Sequence, residues 1–277
     1  MLREREKNNI RYFASDNISE AGGVIHAFST RIGGVSGPPF ASLNLNAGDA
    51  DAPENIARNR SIFADAIGLS CAEEKRLVTL NQVHGDTVIA IDADYDFKEK
   101  NSEPPQGGDA MITDVVGTPI GILTADCLPI LLYDPVKKAV GAAHAGWKGT
   151  YLKIGALTAA AMQERFGSKP GDIRAAFGPF IGPCCYAVKD DVHAKFKKAF
   201  GTDAAGFFSP PLQTCGGISL DIGRANVKTL LDAGLLKENI SANGSCTACG
   251  SALFFSHRKE NGRTGRQINV IMLTEAR

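Results

Sequence analysis

Three side chains that favour zinc stand where apolar segments of the sequence end. Cys127 follows Asp126 inside "GILTADCLPILLYDP" (121–135), interrupting what otherwise reads as one or two buried strands. His84 sits in the polar turn "NQVHGD" (81–86), and His144 in "GAAHAGWKG" (141–149), where a strand gives way to a glycine-rich turn. Imidazole and thiolate are preferred protein ligands of Zn²⁺, and three protein ligands with one open position is the pattern of a catalytic site. Such a set leaves a formal charge of about +1, enough to bind an anion or acidify a water. To share one tetrahedral ion, the three ligand atoms must lie within about 4 Å of one another. Asp126, beside the thiol, could orient a ligand through a hydrogen bond or take a proton. Each residue alone has an ordinary alternative: a buried Cys packs as a small hydrophobe, and a single His is often only hydrogen-bonded. Without metal, the same residues would suit a cysteine hydrolase with Cys127 as nucleophile and a nearby His as base.

Other charged or cysteine-bearing stretches carry weaker signals. "GAAHAGWKGT" (141–150) is close to a phosphate loop, but Gly149 separates Lys148 from Thr150, so the Gly-Lys-Ser/Thr run is missing and a P-loop NTPase is rejected. Glycines and Lys148 before a helix still make a candidate anion site, against the plain reading of a tight turn with a solvated lysine. "SHRKENGRTGRQ" (256–267), with Arg258, is either a solvated hairpin tip or a phosphate or carboxylate clamp, and Arg31 admits the same two readings. Cys246 and Cys249 form a lone CxxC, and Cys184 and Cys185 are adjacent, which is awkward for chelation. This spacing predicts no second metal centre.

The elements that must position these residues alternate between strand and helix. "VIHAF" (24–28), "RLVTL" (76–80), "TVIAI" (87–91) and apolar runs at 119–124, 129–133 and 139–143 read as strands, as do 173–177, 253–256 and 268–273. Helices are predicted over 52–68, over 151–167 with Tyr151, Ile154, Leu157, Ala161 and Met162 on one face, near 188–199 and near 222–233. The long "STRIGGVSGPPFASLNLN" segment (29–46) and the polar 95–108 stretch read as loops. The class is therefore α/β, or α+β with mixed sheets, in a single domain over 1–277 with residues 1–20 as a peripheral segment.

Composition narrows the function. Of 277 residues, 44% are hydrophobic and 22% charged, and thirty acidic residues balance thirty basic ones. This excludes the basic excess of a dedicated nucleic-acid binder. The charged start, "MLREREKNNIRYF", is unlike a signal peptide, and no stretch nears the roughly 20 apolar residues of a membrane span. Seven cysteines, an odd number, fit free or metal-bound thiols in a reducing cytoplasm better than a disulfide framework. Oligomeric state is left open.

Seven motifs occur in order: "STRIGGVSGPPFASLNLN", "NQVHGDTV", "GDAMITD", "TADCLPILLYDP", "AAHAGWKGT", "FGPFIGPCCY" and "FFSHRKENGRTGR". Together they resemble the bacterial proteins labelled laccase-domain or polyphenol oxidase proteins, related to zinc-dependent purine nucleoside enzymes, over about residues 24–273. The resemblance implies His84, Cys127 and His144 as metal ligands and mixed sheets sandwiched between helix layers. It implies phosphorolysis of adenosine, inosine and methylthioadenosine with inorganic phosphate as co-substrate, and deamination of adenosine. It also brings amide cleavage of cell-wall precursors as a rival activity. The sequence departs from the family pattern at His257, Ala187 and Cys249. Lys148, Arg31 and Arg258 are the candidates to hold phosphate. A multicopper oxidase needs several histidine-rich centres, which five histidines cannot build, so copper-dependent phenol oxidation is expected only as a side reaction of Cu²⁺ at the His₂Cys site.

Overall fold

A computed structural model describes residues 1–48, 50–95, 107–210, 217–242 and 244–275. Its strands are β1 (Leu2–Lys7), β2 (Ile10–Ser15), β3 (Val24–Ser29), β4 (Val88–Ala90), β5 (Ala110–Thr113), β6 (Ile120–Thr124), β7 (Leu128–Asp134), β8 (Ala139–Ala145), β9 (Arg174–Phe177), β10 (Ala187–Val188), β11 (Phe208–Ser209), β12 (Ile218–Leu220), β13 (Ile240–Ser241) and β14 (Gln267–Leu273). The α-helices are α1 (Asp16–Ser19), α2 (Pro53–Ile67), α3 (Cys71–Lys75), α4 (Trp147–Tyr151), α5 (Ile154–Phe166), α6 (Asp190–Phe200) and α7 (Ile222–Asp232).

The period-2 alternation of the long strands explains the layering. Along β7, Leu128, Ile130 and Leu132 enter one core while Leu131 and Tyr133 enter another. Along β14, Ile268, Val270 and Met272 face a third core, and Ile271 and Leu273 share the middle one with β7. All seven residues of β7, β8 and β14 are buried, as expected for strands covered on both faces. Two sheets therefore pack face to face, with helices on their outer sides. One is antiparallel with order β1-β2-β3-β14-β6; the other is mixed with order β13-β9-β7-β8-β5-β4. A small third sheet has order β10-β12-β11. The expected class, mixed sheets with layered helices, is the observed one.

Close packing of α5 on the mixed sheet depends on small residues. A Cβ on Gly141 of β8 would stand 3.0 Å from Thr158, and one on Gly155 of α5 3.0 Å from Ile130. The predicted 151–167 helix is broken at Lys153, which adopts φ 64°, and its buried face is Ile154, Gly155, Thr158, Ala159 and Met162. Leu157 is exposed.

Residues 1–20 carry β1 and β2, which extend the antiparallel sheet at its edge; β1 is largely exposed, while Ile10 and Ile18 are buried in the cores. Two strand expectations are corrected. "RLVTL" contributes only an isolated bridge, Val78 to Ile120. Residues 253–256 are turns, not a strand: Phe254 and Phe255 are apolar because they fill the core, without a ladder partner. Most of the predicted 95–108 loop lies outside the described residues.

Candidate metal centre and its cavity

Cys127 occupies the point where the chain leaves one sheet for the other. β6 belongs to the antiparallel sheet and β7 to the mixed one, and Ala125, Asp126 and Cys127 make the bend between them. Asp126 takes φ 91° to turn that corner. The antiparallel register of β7 with β8 pairs Pro129 with His144, which carries the imidazole to the thiol at the same sheet end. His84 arrives from the turn before β4, itself at φ 59°.

The ligand atoms of His84, Cys127 and His144 lie within 4.8 Å of one another. Cys127 Sγ is 3.9 Å from His84 Nε2, close to the roughly 3.6 Å that tetrahedral zinc geometry sets between a sulfur and a nitrogen ligand. The histidine rings meet edge to face at 4.8 Å. Gly146 leaves room for this approach: a Cβ there would stand 3.0 Å from Cys127 Sγ and 3.1 Å from His84 Cδ2. A borderline metal that takes both nitrogen and sulfur fits this donor set.

A buried carboxylate organises the group, and it is Asp109 rather than Asp126. Asp109 Oδ1 accepts from His144 Nδ1 at 2.8 Å and from His84 N at 3.0 Å. Its Oδ2 accepts from Gly85 N at 2.6 Å and Val83 N at 3.2 Å. With Nδ1 held by the carboxylate, His144 presents Nε2 to the thiol. Burial pushes the Asp109 carboxyl up, but its partners outweigh burial and hold it below the ordinary carboxylate value. Burial likewise opposes charge on Cys127 and His144, yet each stabilises the other's charged form. The Cys127 thiol is lowered to about 6 and the His144 imidazole raised to about 9. Asp109 could be suspected from "GDAMITD", an acid just before a strand, but its partners are 25 and 35 residues away in sequence.

Asp126 has a different task. Its Oδ1 accepts from Thr247 Oγ1 and its Oδ2 from Arg258 N, each at 2.6 Å, and its backbone oxygen accepts from Ile181 N. It clasps the segments that wall the site.

The three ligand-type residues lie in a cavity of about 530 Å³, also lined by Asn46, Gln82, Ile181, Tyr186, His257, Arg258 and Arg266. Of the three expected phosphate holders, only Arg258 is here. Its guanidinium sits 5.2 Å from the Tyr186 ring and donates to Ala187 O. Arg31 is instead an internal strut: it pairs with Glu260 at 2.9 Å, donates to Ala41 O and Ser251 O, and stacks on Phe255. Lys148 is exposed on α4, outside the lining. Arg266, part of the basic 256–267 stretch that reads as a possible clamp, lines the cavity too, as does His257, which the sequence marks only as a departure from the family pattern. Burial pushes the Tyr186 hydroxyl up, so it stays protonated.

The cysteine spacing predicts no second metal centre, yet the fold brings the four cysteines together. The sulfur atoms of Cys184, Cys185, Cys246 and Cys249 lie within 4.8 Å of one another. Sequence spacing argued against them, but two turns from distant parts of the chain face each other.

Comparison with known proteins agrees with the architecture. A purine nucleoside phosphorylase of Deinococcus radiodurans is 41% identical over 90% of this chain and 89% of its own length. The purine nucleoside phosphorylase YlmD of Bacillus subtilis is 35% identical over 91% and 90%. The crystal structure of a Bacillus licheniformis hypothetical protein, YfiH, superposes with a TM-score of 0.86 at 33% identity, covering 98% of this chain and 99% of that one. YlmD from Geobacillus stearothermophilus superposes with a TM-score of 0.83 at 32% identity, covering 98% of each. Residues 25–274 match the family described as multi-copper polyphenol oxidoreductase laccase, and the chain belongs to that family.

Proposed function

We propose that the chain is a zinc-dependent purine nucleoside phosphorylase of the cytoplasm, converting adenosine, inosine and methylthioadenosine with inorganic phosphate to free base and sugar 1-phosphate. The observation that carries this reading is the placing of one sulfur and two imidazoles in a cavity that also holds Arg258, Arg266 and His257. The names of the relatives support it. The cavity's volume lies in the range of small-molecule sites.

Zn²⁺ held by His84, Cys127 and His144 would supply a Lewis-acid centre of formal charge about +1. The chain's own groups do the rest. In phosphorolysis a phosphate oxygen attacks the anomeric carbon, the bond from that carbon to the purine nitrogen breaks, and the base leaves with a proton. Arg258 and Arg266 offer planar forks of donors suited to the attacking phosphate. At the cavity wall His257 is the candidate to give a proton to the leaving base, and the Tyr186 hydroxyl, which stays protonated, can donate it a hydrogen bond. Asp109 keeps His144 in one tautomer. With the ion held there, the same centre would also suit hydrolytic deamination of adenosine, in which water adds at C6 and the amino group leaves as ammonia.

Copper-dependent phenol oxidation is assigned to a side reaction. Two of the five histidines belong to this centre. Of the others, His26 accepts from Ser15 N and His193 packs on Phe208, which leaves too few for several copper sites. One observation favours a second reading: the mutual stabilisation of Cys127 thiolate and His144 imidazolium resembles a cysteine hydrolase, which would suit amide substrates such as cell-wall precursors.

The test is elemental analysis of freshly purified protein followed by a nucleoside screen with and without phosphate, before and after chelation. Phosphate-dependent release of base, lost with the chelator and restored by Zn²⁺, is expected. Full turnover by metal-free protein would overturn the zinc reading in favour of the thiol.

A further inference from the structure

Cys184 and Cys185 come from one tight turn, closed by Cys185 N donating to Gly182 O at 3.0 Å. Cys246 and Cys249 come from another, closed by Gly250 N donating to Cys246 O at 2.9 Å. The turns are held face to face by a bridge between Phe180 and Cys246: Phe180 N donates to Ser245 O at 3.1 Å, and Thr247 N to Phe180 O at 3.0 Å. Cys249 Sγ then lies 3.5 Å from Cys184 Sγ and 3.4 Å from Cys185 Sγ.

These separations decide the chemistry. A disulfide brings sulfurs to about 2.05 Å, which no pair approaches. Four thiolates around one tetrahedral zinc at about 2.3 Å stand roughly 3.8 Å apart; here Cys249 Sγ is 3.4 and 3.5 Å from its two neighbours and all four sulfurs lie within 4.8 Å of one another, a cluster that could close on one ion. Backbone N–H groups of Cys249 and Gly182 favour the charged form of Cys246. Such N–H groups stabilise a negative sulfur and do little for a neutral thiol. Burial and the crowded neighbouring thiols push Cys184 and Cys185 up, so that without a cation the four cannot all be thiolates. The cluster is separate from the cavity lining.

We propose that Cys184, Cys185, Cys246 and Cys249 bind a second, structural Zn²⁺ that fastens together the two loops walling the cavity. All four ligands come from the protein, so the ion is closed to substrate, as structural zinc sites are. Its reach into the cavity is short. Ile181 and Tyr186, which line the cavity, flank Cys184 and Cys185 in the first loop. Thr247, between the other two cysteines, donates to the Asp126 carboxylate beside Cys127. Release of the ion would therefore loosen both the cavity wall and the clasp on Asp126.

The test is zinc per chain in protein purified under reducing conditions. Wild type is expected to carry two equivalents, the His84→Ala/Cys127→Ala double variant one, and Cys184→Ser/Cys249→Ser also one if it folds. The His84→Ala/Cys127→Ala protein keeps the proposal testable in either case, since it leaves the four thiols intact. Loaded with Co²⁺, that variant should show the intense visible and sulfur-to-metal bands of a tetrahedral thiolate site. Fewer than seven titratable thiols in denatured, chelator-treated protein would point to a disulfide and overturn the proposal. So would a zinc-free His84→Ala/Cys127→Ala variant, or iron in place of zinc in wild type.

Discussion

Replacing Asp109 with Asn tests the organisation of the candidate centre without touching a ligand. The carboxylate accepts four hydrogen bonds, two on each oxygen. Asn is nearly isosteric but has one acceptor atom and one donor group. If its oxygen faces His144 and His84, the NH₂ group meets the N–H groups of Gly85 and Val83. Two backbone donors are then orphaned, at about 1–3 kcal/mol each. If the amide is turned the other way, its NH₂ can pair with His144 only when Nδ1 is an acceptor, which puts the ring proton on Nε2, where the ion must bind. Either orientation costs. Loss of the partner that orients a metal-bound histidine typically weakens binding 10–100-fold, or about 1.4–2.7 kcal/mol. The assay is a chelator competition giving the zinc Kd of wild type and Asp109→Asn, with unfolding of both metal-free proteins as control. A weaker Kd at the His₂Cys site is expected, together with a loss of about 2–6 kcal/mol of metal-free stability. A folded Asp109→Asn protein with wild-type zinc affinity would refute the tautomer argument.

Three further outcomes are expected. Arg258→Ala should raise KM for phosphate at least tenfold, whereas Arg31→Ala should leave it unchanged while lowering stability by about 1–3 kcal/mol, because its ion pair with Glu260 and two carbonyl contacts are partly buried. Steady-state kinetics and urea unfolding of both variants check this. In chelated protein, Cys127 should be alkylated as a thiolate with a rate that rises through pH about 6, and zinc should protect it; a rate indifferent to zinc would favour the free-nucleophile reading. His26 is buried, and its Nε2 accepts from Ser15 N at 2.8 Å, so burial lowers its pKa from 6.5 to about 4. A depressed folded pKa means that stability is present above 6.5 and is lost as pH falls towards 4, by about 2 kcal/mol between pH 7 and 5. Urea unfolding of His26→Gln, which keeps an acceptor but no titrating ring, should lack this component.

Local pattern was enough for most of the framework. The unbroken apolar runs of β7, β8 and β14 announced strands buried on both faces, and helical spacing placed α2, α6 and α7 within a residue or two. His84, Cys127 and His144 could be chosen because softness and strand-end position are properties of a residue and its immediate neighbours. What depended on distant partners was not legible. Asp109 and Asp126 are both acids next to a strand, and only the β7–β8 register and the folding back of the 83–85 turn give Asp109 the histidine and Asp126 the clasp. Arg31 and Arg258 are equally basic in sequence, but Glu260 neutralises the first inside the fold while the second opens on the cavity. Lys148 stands near His144 along the chain, yet the start of α4 leaves it exposed outside the lining. The two cysteine pairs illustrate the limit most clearly. The adjacent pair is an awkward chelator, a lone CxxC supplies only half a site, and about sixty residues separate the two. Their meeting is decided by one backbone bridge at Phe180, a contact that no local spacing encodes.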